Sequence, residues 1–180
     1  MPLAFIALGA NLPSPAGPPD ATLAAAVERL ASCGSIIARS SLYSTAPVGF
    51  ADQPRFLNAA VSLETSIAPH ELLDALLNIE CDFGRDRTAT IPNGPRTLDL
   101  DLLLYDDLVL SENGLEVPHP RLAERAFVLV PLNEIAPHAR DPRSGLTISQ
   151  LLVQLNPDRE SITPSVIPIE SPQWLSGELR

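Results

Sequence analysis

Apolar positions along this chain fall into short runs separated by glycine- and proline-rich stretches. The first run, Leu3 to Leu8, is continuous and ends at Gly9-Ala10-Asn11 before Pro13, Pro15 and Pro18-Pro19, which predicts a buried strand leaving into a loop. Leu23, Val27 and Leu30 recur at helical spacing after Asp20, so the pattern predicts a helix capped by Asp20 and stopped near Gly34. Ile36 to Tyr43 is β-branched and aromatic enough for a second strand, and Phe56 to Glu64 alternates loosely as a third. Ser66, with Pro69 and His70-Glu71 just after it, opens a second helix that carries Leu72, Leu73, Leu76, Leu77 and Ile79 and ends at Gly84. Arg85 to Pro95 is polar and irregular, and Thr97 to Tyr105 is the clearest strand in the chain. The resulting order, β-α-β-β-α-β, is that of a ferredoxin-like α+β fold with an antiparallel sheet.

Leu122 to Ile135 and Ile148 to Leu155 suggest further short helices. Beyond Asn156 the chain carries Pro157, Pro164, Pro168 and Pro172 with little periodicity. We therefore expect one domain over residues 1–155 and an extended or loosely docked tail over 156–180.

Composition narrows the chemistry. The chain has 12 basic and 22 acidic residues among its 180, a formal net charge of −10, and every one of the basic residues is arginine. Without lysine, a Walker-type phosphate loop, a Schiff base and a protein-kinase ATP lysine are all excluded. The acidic balance argues against a nucleic-acid-coating protein. Cys33 and Cys81 are too few for a disulfide framework or a zinc site and read as two buried reduced thiols. The N-terminal run has no basic flank and is too short to cross a bilayer, so we expect a soluble, cytoplasmic protein.

Asp99 and Asp101, two apart in a strand, project from one face about 7 Å apart, close enough to share metal ions, while Leu98, Leu100 and Leu102 face the core. Mg²⁺ takes hard oxygen ligands and completes its shell with water and phosphate oxygens. An isolated Asp-x-Asp is more often the solvated face of an edge strand. Arg85, Arg87 and Arg96, within twelve residues just upstream, tilt the reading toward arginine forks for phosphates beside aspartates for metal. Taken alone, such arginines are as readily surface ion pairs. Asp82-Phe83-Gly84 is no kinase motif, because it ends a helix and the required lysine does not exist. Asn58 in an apolar strand is either structural or ligand-binding. His119, taken alone, is uninformative.

Six stretches, in order, carry a resemblance: Ala7 to Leu12; Tyr43 to Gly49; Asp52 to Val61; Ile79-Glu80 with Gly84-Arg85; Gly94 to Asp101; and Val117 to Leu122 through Arg125-Ala126-Phe127. Together they resemble the 6-hydroxymethyl-7,8-dihydropterin pyrophosphokinases, from about residue 4 to residue 137. The resemblance implies a ferredoxin-like core in a three-layer α/β/α sandwich with extra short C-terminal helices. It implies transfer of the β,γ-pyrophosphoryl group of ATP to the pterin hydroxymethyl oxygen, with release of AMP, in folate biosynthesis. It further implies catalytic roles for Arg85, Arg96, Asp99 and Asp101, with the two aspartates holding two Mg²⁺ ions. Thr45, Ala46, Pro47, Val48, Phe56, Asn58 and Phe127 would contact the pterin. Leu73, Glu80, Arg85, Arg87, Arg96, Leu102, His119, Arg121 and Arg125 would contact ATP. Partners would be small molecules only, with no nucleic acid and no membrane, and the protein a monomer.

The chain departs from the family at three places. Asn93 stands where a loop tryptophan is usual, on a segment, Asp86 to Asn93, expected to close over ATP. Ala10 replaces the serine of a Gly-Ser-Asn turn, and Phe56 replaces a frequent tyrosine, keeping the ring and losing the hydroxyl. Two other classes compete with the enzyme: a binding module that kept the cleft and lost catalysis, and a structural module with a solvated acidic strand. The Asp99/Asp101 pair with Arg85 and Arg96 speaks against the first, and the arginine-rich loop is unexplained by the second.

Overall fold

The computed structural model describes residues 1–49, 52–88, 93–155 and 166–175. The predicted order is present: β1 (Leu3–Ala10), α1 (Pro19–Leu30), β2 (Ser35–Arg39), β3 (Leu42–Thr45), β4 (Phe56–Glu64), α2 (Pro69–Asp82) and β5 (Asp99–Tyr105). A small hairpin, β6 (Leu110–Glu112) with β7 (Leu115–Val117), leads to α3 (Ala126–Ile135) and α4 (Ile148–Leu155). Then come β8 (Val166–Ile169) and the single turn α5 (Pro172–Leu175). The main sheet runs β5-β1-β4-β3-β8, with β2 also paired to β4. All its pairings are antiparallel. Because β4 lies between β1 and the β2–β3 segment, the first β-α-β unit is split, which is the ferredoxin-like arrangement.

Strand alternation builds two apolar layers, one on each face of the sheet. On β1, Ala4, Ile6, Leu8 and Ala10 join the core under α1 and α2. Phe5 belongs to a second cluster under α3 and α4, with Ala7 packed beside it. Leu23, Leu30, Leu72 and Leu76 are fully buried, and each such leucine contributes on the order of 1.5–3 kcal/mol. Helices therefore cover both faces, as the three-layer sandwich requires. On β5 the pairing to β1 skips Leu103, between Ile6↔Leu102 and Phe5↔Leu104. This bulge lets Leu103 and Leu104 both reach the second cluster while Asp99 and Asp101 keep strict alternation upstream.

Several boundaries differ from expectation. The strand predicted over Ile36–Tyr43 is two strands, interrupted at Ser40-Ser41 because the Ser40 hydroxyl accepts the Ala60 N–H that a continuous ladder would use. Asp20 does not cap α1: Pro18 holds the cap position, Pro19 supplies the preset first helical φ, and Asp20 sits in the first turn. The helix predicted over Leu122–Ile135 begins at Ala126, after a 3-10 turn over Leu122–Glu124. Residues 166–175, expected to be extended or loosely docked, add strand β8 to the sheet edge and bury Trp174, which is only 3 % exposed. Of the two thiols expected to be buried, Cys33 is buried, whereas Cys81, near the end of α2, is exposed.

Candidate active site

The sheet face under α3 continues past the N-terminal end of that helix, and there it is polar. Asp99, Gly9, Asn58 and Tyr43 are cross-strand neighbours on this face, so β5, β1, β4 and β3 each contribute one position to its floor. A cleft of about 290 Å³ opens above them. Its lining includes Gly9, Thr45, Ala46, Val48, Phe56, Asn58, Asn93, Phe127, Asp99, Asp101, His119 and the arginines 85, 87, 96, 121 and 125. At about 4.8 Å between strands, β5 and β3 stand three intervals, or about 14 Å, apart. One end of the cleft is charged and the other aromatic and amidic.

At the charged end Asp99 accepts hydrogen bonds from Arg85 and, at 2.9 Å, from Arg96. Asp101 lies 3.5 Å from the Arg125 guanidinium and 3.9 Å from His119 Nε2. Burial, and then the neighbouring Asp99 charge, push the Asp101 carboxyl above its ordinary range. Burial pushes His119 below the ordinary imidazole range, against the pull of Asp101. The His119 Nδ1 accepts the Arg121 N–H at 3.0 Å, so in the neutral ring the proton sits on Nε2, facing Asp101.

Beneath these groups Glu80 is fully buried. Its carboxylate accepts the Leu100 N–H at 2.8 Å, between the two aspartates, and takes Arg87 at 2.6 and 2.9 Å and Arg85 at 3.3 Å. Burial raises its carboxyl above the usual range, opposed by the Leu100 N–H and both arginines. At the other end, Asn58 Nδ2 donates to Thr45 Oγ1 at 2.8 Å, leaving its carbonyl oxygen toward Gly9. The Arg96 guanidinium lies 5.2 Å from the Phe56 ring centroid and Arg125 lies 5.6 Å from that of Phe127.

The residues fit a hard divalent cation. Two carboxylates share one strand face, and burial followed by the Asp99 charge raises the Asp101 carboxyl, a cost that a bound cation would relieve. Among the described residues no group of three or more His, Cys, Asp or Glu side chains could hold a metal ion by itself, so phosphate oxygens would complete the shell. Among the same residues the Nε–H groups of Arg85, Arg96 and Arg125 are buried without an acceptor, a donor set suited to phosphate.

With residues 5–137, the chain matches the sequence profile of 7,8-dihydro-6-hydroxymethylpterin-pyrophosphokinase (HPPK). The chain belongs to the HPPK family. It is 44% identical over 159 residues to the 2-amino-4-hydroxy-6-hydroxymethyldihydropteridine pyrophosphokinase of Methylorubrum extorquens, covering 87% of this chain and 96% of that one. It is 46% identical over 148 residues to the enzyme of the same name from Pseudomonas aeruginosa, covering 82% and 88%. Among solved structures, Plasmodium falciparum HPPK-DHPS with pteroate aligns at a TM-score of 0.72 and 15% identity, over 91% of this chain. This chain spans only 46% of that one, and at this identity the likeness speaks for the fold.

Of the site residues predicted from the HPPK resemblance, Thr45, Ala46, Val48, Phe56, Asn58 and Phe127 line the cleft. So do all five predicted arginines, His119 and both aspartates. Pro47, Leu73, Glu80 and Leu102 do not line it. Leu102 is buried in the core under α1 and α2, with Leu73 packed against the same cluster. Glu80 acts from below, through Arg85, Arg87 and Leu100. Closure of the Asp86–Asn93 segment falls partly on residues 89–92, outside the described residues. Asn93, in place of the usual aromatic, sits on the cleft wall at φ 58°, a left-handed conformation that asparagine adopts readily.

Two residues carry weight that the sequence reading did not assign. Gly9 keeps the floor open, since a Cβ there would stand 3.2 Å from Asn58 Oδ1. Asn11, 3 % exposed, accepts the Arg96 N–H at 2.8 Å and donates to Gln53 Oε1 and the Pro54 carbonyl, both at 3.0 Å. Its position immediately after an apolar strand was the one available signal.

Proposed function

We propose that this chain transfers pyrophosphate from ATP to the hydroxymethyl oxygen of 6-hydroxymethyl-7,8-dihydropterin, giving the dihydropterin diphosphate and AMP, with the reaction centred on Asp99 and Asp101. Membership of the HPPK family supports the activity, and one observation carries its placement. A single cleft joins a carboxylate pair on β5, ringed by arginines, to Phe56 and Asn58 on β4, two strand intervals or about 10 Å away on the same sheet face. That span suits a flat heterocycle at one end and a polyphosphate at the other.

In this reading Phe56 and Phe127 offer faces to the pterin ring, and the Asn58 amide pairs with its polar edge. Arg85 and Arg96 exchange their Asp99 partner for phosphate oxygens and neutralise charge as the α–β bond breaks. Arg87, Arg121, Arg125 and His119 extend the cationic wall along the triphosphate. Asp99 and Asp101 would hold Mg²⁺, two ions by analogy with the family, and bound Mg²⁺ supplies charge neutralisation and alignment of the attacking hydroxyl. Transfer of this kind relies on positioning and electrostatics, so no dedicated protein base is required.

In this reading the protein works as a monomer on small molecules. Among the described residues no helix is long and apolar enough to cross a membrane. The compartment we propose is the cytoplasm, where ATP and Mg²⁺ are supplied. The test is incubation with ATP, Mg²⁺ and the reduced hydroxymethylpterin. Pterin-dependent AMP release is expected, and ADP or no product would overturn the assignment.

A further inference from the structure

We propose that the C-terminal segment 166–175 is a positioning element for the aromatic and amide end of the cleft, acting through β3 on Thr45 and Asn58. The proposal rests on the reading of those two residues as pterin contacts. The segment lies outside residues 5–137, where the family match falls.

β3 is four residues long and stands outside β4. A strand so short with one unpaired side is a weak support for a binding wall. β8 supplies the missing partner, from Leu42↔Ile169 through to Thr45↔Val166. Pairing thus reaches the residue whose Oγ1 accepts the Asn58 amide at 2.8 Å. Pro168 within β8 suits an outermost strand, because it has no N–H to offer a further neighbour.

The segment is clamped at two further points. Trp174 is buried in the core under α1, and its indole N–H donates to the Ser40 carbonyl at 2.9 Å, at the break between β2 and β3. The Arg39 guanidinium covers the indole at 4.9 Å from the ring centroid. The Ser171 hydroxyl, 4 % exposed with its residue, donates to Asp20 Oδ2 at 2.8 Å and so ties the segment to the first turn of α1. On the other face of the sheet, Glu134 accepts the Ser41 N–H at 3.0 Å and the Tyr43 hydroxyl at 2.8 Å. β3 is thereby held from α3 above and from the C-terminal segment beside and below. The carboxylate pair on β5 stands at the opposite edge of the sheet.

This separation defines the test. Steady-state KM values for pterin and for ATP are measured for the full chain carrying Trp174→Ala, Trp174→Phe or Ser171→Ala, with Asn58→Ala as a reference. Trp174→Ala is expected to raise the pterin KM by about tenfold and Ser171→Ala by about threefold, with the ATP KM within about twofold of wild type. Trp174→Phe, which refills most of the space, is expected to recover most of the loss. If Trp174→Ala does not fold, as judged by its thermal transition, Ser171→Ala and Trp174→Phe decide. A parallel rise in both KM values, or unchanged pterin KM in folded variants while Asn58→Ala raises it, would overturn the positioning role. An unchanged pterin KM in Asn58→Ala would instead overturn the underlying reading of the wall.

Discussion

Asn11 and Arg96 form a closed pair of hydrogen bonds: the Arg96 N–H donates to Asn11 Oδ1 at 2.8 Å, and the Asn11 N–H donates to the Arg96 carbonyl at 3.1 Å. The same side chain holds the Gln53-Pro54 loop, and Gln53 Nε2 donates onward to the Asn93 carbonyl at 2.8 Å. One buried amide thus joins the end of β1 to the loops on both sides of the cleft. Asn11→Ala leaves the Arg96 N–H and the Pro54 carbonyl without these partners, a loss of about 1–3 kcal/mol in stability. The Arg96 guanidinium loses its fixed origin as well. We expect kcat to fall by about tenfold or more, beyond what unfolding explains, measured on the fraction shown to be folded by denaturant titration.

Asp99 and Asp101 differ in what surrounds them, so their isosteric variants should differ too. Both Asp99→Asn and Asp101→Asn are expected to cut turnover by orders of magnitude, because each removes an anion from the proposed metal seat. Only Asp99→Asn also strips a carboxylate from two guanidinium groups, Arg85 and Arg96, of which Arg85 is 9% exposed. Its stability should drop by about 1.5–3 kcal/mol, the range for hydrogen bonds to charged groups. Asp101→Asn should be near neutral or stabilising at pH 7. Unchanged turnover in both variants would restore the solvated-strand reading.

The pH dependence of stability follows from the direction of the Asp101 shift. A carboxyl raised by burial and by Asp99 binds its proton more tightly folded than unfolded. Its contribution is therefore full below the unfolded pKa, about 3.9, and is lost as pH rises through the higher folded value. His119, lowered by burial, acts with the opposite sign: its contribution is full above about 6.5 and shrinks as pH falls. The two are separated in a His119→Asn background. There, adding Asp101→Asn should raise the melting temperature at pH 7, with the gain shrinking as pH falls toward the unfolded value of about 3.9. A difference that grows toward low pH would contradict the sign.

The strands and helices that frame the cleft were legible because each is a local pattern. β4 spans Phe56–Glu64 as its alternation predicted, and the Gly84 stop of α2 is local punctuation, although the helix expected from Ser66 starts at Pro69. The shared face of Asp99 and Asp101 likewise follows from period two over three residues. What escaped is non-local. The Leu103 bulge exists only in the pairing of β5 with β1, and the Asn11–Arg96 pair spans a sequence separation of 85. Trp174 docks through four helical residues, too few for any periodicity to show. Glu80 resembled a nucleotide contact by position, whereas its complete burial makes it a support for the residues that line the cleft.

Gly9 gives the sharpest test of the cleft floor, because the change is a single methyl group. Its backbone needs no glycine-only conformation, since it lies within the regular pairing of β1 with β4 and β5. Alanine there should fold. Its Cβ would nevertheless stand 3.2 Å from Asn58 Oδ1 and 3.9 Å from the Asp99 Cβ, so the Asn58 amide must shift by a few tenths of an ångström. That amide is already committed to Thr45 on its donor side, which leaves it little freedom to turn away. Gly9→Ala is thus expected to raise the pterin KM by about tenfold while the melting temperature changes by less than about 3 °C. A wild-type pterin KM in this variant would place the ligand away from the floor that Gly9 and Asn58 share.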